Sequence, residues 1–245
     1  MGRRRADVSR RAGRWRRYAL GAGAATVVLV MIGWFLLHSG LASARVITVR
    51  GAPAGTAPAV IGAAGLGGHP PLVDIPVEQA VAAVERLPWV GRATVERSWP
   101  DGVVVTVTRR VPVAVMADAG AGWAEVDRTG RVVAVVPTAP AGLVQLHVDA
   151  QPGRLGEWVP AGIGPEVKVA ATLPPAFVAQ VVTVEAQPDA AVALQLTTPV
   201  SVLLGTADDL AAKYDDVATI LLHATLHPGD VIDVRVPGSP VISGP

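Results

Sequence analysis

Trp89–Ala114, WVGRATVERSWPDGVVVTVTRRVPVA, decides the fold class, because its apolar residues recur at every second position on both sides of a tight turn. Ala93 and Val95 point one way, Thr94 and Glu96 the other; Val103, Val105 and Val107 repeat the pattern against Thr106 and Thr108. That period belongs to strands with one buried face. Between them Trp99-Pro100-Asp101-Gly102 supplies the turn, Asp-Gly being a strong hairpin signal.

Working upstream, the period changes to that of a helix. Val77, Ala80, Val81, Val84 and Leu87 share one face, while Glu78, Glu85 and Arg86 fall on the other. Asp74 is placed to cap this helix, Pro76 suits its first turn, and Pro88 stops it. A weaker helix is read over Thr56–Leu66, behind a strand at Val46–Val49 that ends at Arg50-Gly51. Strand, two helices and a hairpin make a small α+β module, assigned to residues 46–114. Gly65-Leu66-Gly67-Gly68 lacks the spacing and the Lys-Ser/Thr ending of a phosphate loop and reads as a turn.

Further upstream, Tyr18–Leu37, YALGAGAATVVLVMIGWFLL, has no ionisable group except the tyrosine phenol. About twenty such residues match the ~30 Å apolar layer that one helix must cross, so residues 18–38 read as a transmembrane helix. Eight arginines against Asp7 give residues 1–17 a net +7, and the remaining chain, against an overall +1, carries −6. A basic flank stays cytoplasmic. Residues 39–245 are then outside, with 39–45 a tether. Ala42-Ser43-Ala44 also permits a signal-peptide reading, but the apolar run exceeds the ~7–15 residues of a secretory core. With no cysteine, the exported part has neither disulfides nor a thiolate metal site nor a cysteine nucleophile.

Downstream the chain is strand-rich. Trp123–Asp127 and Arg131–Val136 flank a second hairpin turn at Arg128-Thr129-Gly130; strands are read at Leu143–Val148, Val181–Glu185, Val192–Leu196 and Val200–Leu204, and a short helix at Val167–Leu173. Thr206–Ala224 reads as an amphipathic helix, with Thr206 and Asp209 as a capping box and Asp209 paired to Lys213. A last strand is read over Val231–Val236. These form a β domain over 115–236, followed by a flexible tail, 237–245.

The segment order and several motifs resemble the FtsQ/DivIB family of bacterial cell-division proteins. The resemblance rests on Val49-Arg50-Gly51, Pro71–Asp74, Leu87–Val90, Ala93–Arg97, Trp99–Asp101 and Val105–Ala114, with Val126-Asp127…Gly130, Gly205…Lys213 and Ile232–Arg235 beyond. It implies a POTRA domain (β-α-α-β-β) followed by a β domain with a closing edge strand. Asp74, Pro88, Trp89, Arg97, Trp99, Pro100, Asp101 and Pro112 are its structural POTRA positions. Arg109 stands where the family more often has an acid, which puts one salt bridge in doubt. The implied role is a non-enzymatic scaffold at the division septum that holds FtsB- and FtsL-like partners and influences septal wall synthesis. The alternatives are a POTRA-bearing transport or assembly factor and an exported hydrolase.

No constellation for catalysis, cofactor or metal is read. His223 and His227 are four apart but lack a third ligand, and Asp208-Asp209 and Asp215-Asp216 read as a solvated face. The basic N-terminus reads as a topology signal, with no nucleic acid and no small-molecule substrate implied. The positive signal is a strand edge, Val231, Ile232, Asp233, Val234, Arg235 and Val236, to which a partner's extended segment could add.

Overall fold

The computed structural model describes residues 6–38, 42–120 and 122–244; Arg3, Arg4 and Arg5 of the basic tail, residues 39–41 of the tether and Pro245 of the tail lie outside the described residues. The chain is mixed α and β. It divides into two compact units, one running to Val84 and including Ala93–Val107, the other made of Glu85–Arg92 and the chain from Thr108.

The first unit begins with a 32-residue helix, α1 (Ala6–Leu37). Its described apolar side chains are open all round, Leu20 at 74%, Leu29 at 68% and Phe35 at 69% exposure. Among the described residues no helix is long and apolar enough to cross a membrane. After it come β1 (Val46–Arg50), α2 (Ala57–Ala63), α3 (Val77–Glu85), β2 (Val90–Ser98) and β3 (Gly102–Arg109). The three strands form one sheet in the order β1-β3-β2, with β1 parallel to β3. Its buried face is the alternating set read above, Ala93, Val95, Val103, Val105 and Val107; Val60 of α2 and Val84 of α3 are buried as well.

Gly51 ends β1 because no other residue fits there. Its φ is +76°, and an added Cβ would lie 2.0 Å from the Val107 carbonyl oxygen. Asp74 is not a helix cap. It closes a short 3-10 turn, Leu72–Asp74, ahead of α3. Ala44 N donates to the Pro70 carbonyl, Ser43 bridges Pro71, and Ala42, Ser43 and Ala44 are buried.

The second unit is built on a nine-stranded sheet. Its strands are β4 (Pro112–Asp118), β5 (Gly122–Asp127), β6 (Val132–Val136), β7 (Val144–His147), β8 (Val181–Gln187), β9 (Ala191–Leu196), β10 (Ser201–Gly205), β11 (Val231–Asp233) and β12 (Val241–Ser243). They lie in the order β12-β11-β10-β9-β8-β7-β4-β5-β6. Pro112–Ala114 thus open the second sheet. The β4–β7, β7–β8 and β10–β11 pairs are parallel, the others antiparallel.

Alternation again sorts the faces. Met116, Leu146, Val184, Leu194, Val202 and Ile232 belong to one core with Val167 and Val169 of α4 (Gly164–Thr172), Phe177 of α5 (Pro175–Val178) and Tyr214, Val217 and Ile220 of α6 (Leu210–His223). On the other face, register aligns Gln145, Thr183, Gln195 and Ser201 across four strands, and the Ser201 hydroxyl donates to Gln195 Oε1 at 2.9 Å. A sheet covered on one side only leaves such a polar row on the other.

Two details of α6 depart from the sequence reading. The helix starts at Leu210, and Asp209 precedes it in a left-handed conformation (φ 51°) with no side-chain cap. Lys213 turns inward instead of pairing with Asp209: it is buried and its Nζ donates to the Thr206 carbonyl at 2.8 Å. The ammonium thereby holds the loop between β10 and the helix.

Candidate functional site

The candidate site is a rim of the large sheet, formed by Val241–Ser243. Val231–Val236 was read as one edge strand. The strand stops at Asp233, and it lies between β10 and β12. Asp233 ends it: its carboxylate accepts the Arg235 backbone N–H at 3.0 Å and the Arg235 guanidinium as well. Such a local turn competes with ladder pairing. Those hydrogen bonds from Arg235 outweigh the burial of Asp233 and hold its carboxyl below the usual carboxylate range. Past the turn, Pro237–Pro240 reverse the chain, and Val241, Ile242 and Ser243 pair antiparallel with Asp233, Ile232 and Val231. Part of the expected flexible tail is therefore the terminal strand, β12. Its three side chains are exposed, Val241 at 59% and Ile242 at 42%.

The opposite rim, β6, is partly covered. Val132 N donates to the Glu157 carbonyl and Gly156 N to the Val132 carbonyl, both at 2.9 Å, while Val159 N reaches the Gly130 carbonyl at 2.8 Å. Arg131 and Trp158 form an isolated bridge in the same run.

The turn that leads into β6 is held by a buried carboxylate that the sequence named only as a motif position. Asp127 Oδ1 accepts the Thr129 N–H (2.8 Å), the Thr129 hydroxyl (2.6 Å) and the Arg131 N–H (3.0 Å); Oδ2 accepts Arg110 Nη1 at 2.6 Å. Burial alone would raise the Asp127 pKa, but these hydrogen bonds together hold it below the ordinary value. Arg131 in turn donates to the Glu85, Arg86 and Gly156 carbonyls. The signal available in the sequence was an acid opening an Asp-x-x-Gly turn behind Arg109-Arg110.

The POTRA, FtsQ-type, domain profile matches residues 42–110. Cell division protein FtsQ of Streptomyces collinus is 33% identical over 96% of this chain and 92% of its own length. That of Streptomyces bingchenggensis is 30% identical over 93% and 86%. The chain belongs to the FtsQ/DivIB family of bacterial cell-division proteins. A solved extracytoplasmic domain of DivIB from Geobacillus stearothermophilus matches at TM-score 0.33 and 18% identity, over 48% of this chain and 98% of that one.

The FtsQ-type motif positions are dispersed within the chain and form no cluster of reactive groups. Arg97 Nη2 donates to the Ile75 carbonyl at 2.7 Å, tying β2 to the start of α3. Trp99 is 53% exposed at the hairpin tip, where Trp99-Pro100 is cis and Asp101 completes the turn. Trp89 accepts the Arg110 N–H through its carbonyl, next to Pro88, and Pro112 opens β4. His223 Nδ1 lies 2.9 Å from the Thr219 carbonyl, and His227 faces Asp230 at 3.7 Å. Among the described residues no three potential ligands gather for a metal.

Proposed function

We propose that this FtsQ-family chain is a non-enzymatic scaffold of the division machinery, and that its β12 rim grips an extended segment of an FtsB- or FtsL-like partner. The observation that carries this reading is the contrast between a β6 rim whose first residue, Val132, is met by the chain's own backbone and a β12 rim that no described segment meets. An unpaired strand offers N–H and C=O groups in a row, and an incoming strand satisfies them. Exposed Val241 and Ile242 would supply side-chain selectivity.

The same reading takes residues 18–38 as a single membrane anchor, with residues 1–17 cytoplasmic and a POTRA domain and β domain outside. The apolar side chains of α1 that point to every side support it, since lipid is a solvent that tolerates them. The basic flank supports the orientation. Packing of Ala42-Ser43-Ala44 against Pro70 and Pro71 favours an anchor that is retained, because a protease needs an open segment. Anchoring two partners in one membrane raises their effective concentration, so a short added strand suffices. Holding them at the septum is how the chain would influence septal wall synthesis.

The test is capture of a co-expressed FtsB-like partner by the full chain. Proline at Ile242 should abolish capture and leave the thermal transition nearly unchanged. Retained capture by Ile242→Pro would refute β12 as the grip.

A further inference from the structure

A second surface lies on the helical side of the β domain, independent of the rim. Two cavities of about 330 and 380 Å³ run along one flank of α6, and a third of about 420 Å³ continues past its C-terminal end, between residues 197–200 and 224–228. The first two share Pro174, Tyr214 and Asp215, and the last two share Gln180 and Leu221, so they form one trough. It follows a helix of 14 residues, hence about 21 Å at ~1.5 Å per residue. Its middle is apolar, with Phe177 at the floor and Ala218 and Leu222 on the wall. Leu222 is 80% exposed, against 8% for Phe177.

Charge and backbone together restrict what fits. Asp209 and Asp215 line the trough and are exposed, and neither makes an ion pair among the described residues. Lys168 also lines that end and, among the described residues, is paired with neither, while the Lys213 ammonium is engaged by the Thr206 carbonyl. Asp216, the next residue, is engaged, accepting the Gly238 N–H at 2.8 Å. Its long walls are α6 and, at one end, α4, whose interior backbone groups are bonded within the helix, so these walls cannot extend a strand as a sheet rim does. A groove between helices takes a helix, with apolar anchors at i, i+3, i+4 and i+7.

We propose that this trough docks an amphipathic helix of another protein that carries a Lys or Arg beside its apolar stripe, set against Asp215. The acid places the cation and Leu222 anchors the stripe. The assignment does not depend on the partner proposed for β12, and its test leaves that strand intact.

The test uses the full chain in neutral-detergent micelles and two designed helical probe peptides with the same leucine stripe, one flanked by lysines and one by glutamates. Binding is followed by fluorescence anisotropy after subtraction of empty micelles. The lysine probe should bind saturably and lose about tenfold in affinity with Leu222→Glu, an anchor replaced by a charge. Asp215→Lys should reverse the preference toward the glutamate probe. Both positions are exposed, so the fold is retained. Binding indifferent to both substitutions, or none above empty micelles, would overturn the proposal. So would a dimer of the chain that Leu222→Glu dissociates, since the trough would then belong to a second copy.

Discussion

The two rims of the nine-stranded sheet are finished in opposite ways. At β6, residues 156–159 come alongside and exchange backbone hydrogen bonds with 130–132, and the turn beneath is fixed by a carboxylate that takes donors from Thr129, Arg131 and Arg110. At β12 the sheet stops on three exposed residues behind a Pro-Gly-Ser-Pro turn. One way a sheet protects an edge that must not pair is to cover it. Here one rim is covered at its first residue, Val132, and the other is apolar and has no segment alongside it among the described residues. The difference gives each rim a different tolerance to change, which can be measured.

The largest effect should come from the covered side. Asp127→Ala leaves Arg110 without its carboxylate and frees the Asp127–Gly130 turn; losing one partner of a largely buried pair costs about 3–5 kcal/mol, to be read from urea unfolding. The pH dependence follows from the direction of the Asp127 shift. With the folded pKa depressed, the unfolded chain binds more protons below about pH 4, the ordinary Asp value. The carboxylate's contribution is therefore complete above that pH and lost as pH falls through the folded pKa. Asp127→Asn should flatten that acid limb of the stability profile. An unchanged limb would mean that the β6 turn is held by something else.

A smaller effect should follow from lifting the cover. Gly156 sits at φ +87°, and an added Cβ would meet Pro88 at 3.1 Å. Gly156→Ala should cost about 1–2 kcal/mol from the left-handed backbone alone. It should also speed hydrogen exchange at Val132 and Gly156. Slow exchange in this variant would show that the rim is protected without residues 156–159.

The smallest stability change belongs to the open rim. Ile242→Ser should shift unfolding by about 0.5 kcal/mol, as surface changes do, while weakening capture of the FtsB-like partner. A large destabilisation would instead make β12 a structural strand and remove the contrast between the rims.

Much of this was legible in the sequence, for identifiable reasons. The period of two in Ala93–Val95 and Val103–Val107, interrupted by Asp101-Gly102, placed the first hairpin. The amphipathic pattern of Thr206–Ala224 indicated α6, whose Leu210, Tyr214 and Val217 lie in the core. The rim was misread because periodicity cannot detect a strand of three residues. Val241-Ile242-Ser243 is too short to alternate, and the Gly and Pro around it read as tail. Ile232, Val234 and Val236 read as one face of a continuous strand, although Asp233 had the side chain to end it by capturing Arg235 N–H. Lys213 was read from helical spacing as a surface partner of Asp209. The three-dimensional alternative, a carbonyl of the preceding loop, has no signature in spacing.

The claim at the centre is that one rim is reserved for a partner. Hydrogen exchange on the full chain, alone and in complex with the FtsB-like protein, tests it most directly. Protection should rise at Val241–Ser243 on complex formation and stay constant at Val132–Val136. Protection that rises at β6, or an unchanged β12 in a complex that has formed, would contradict it.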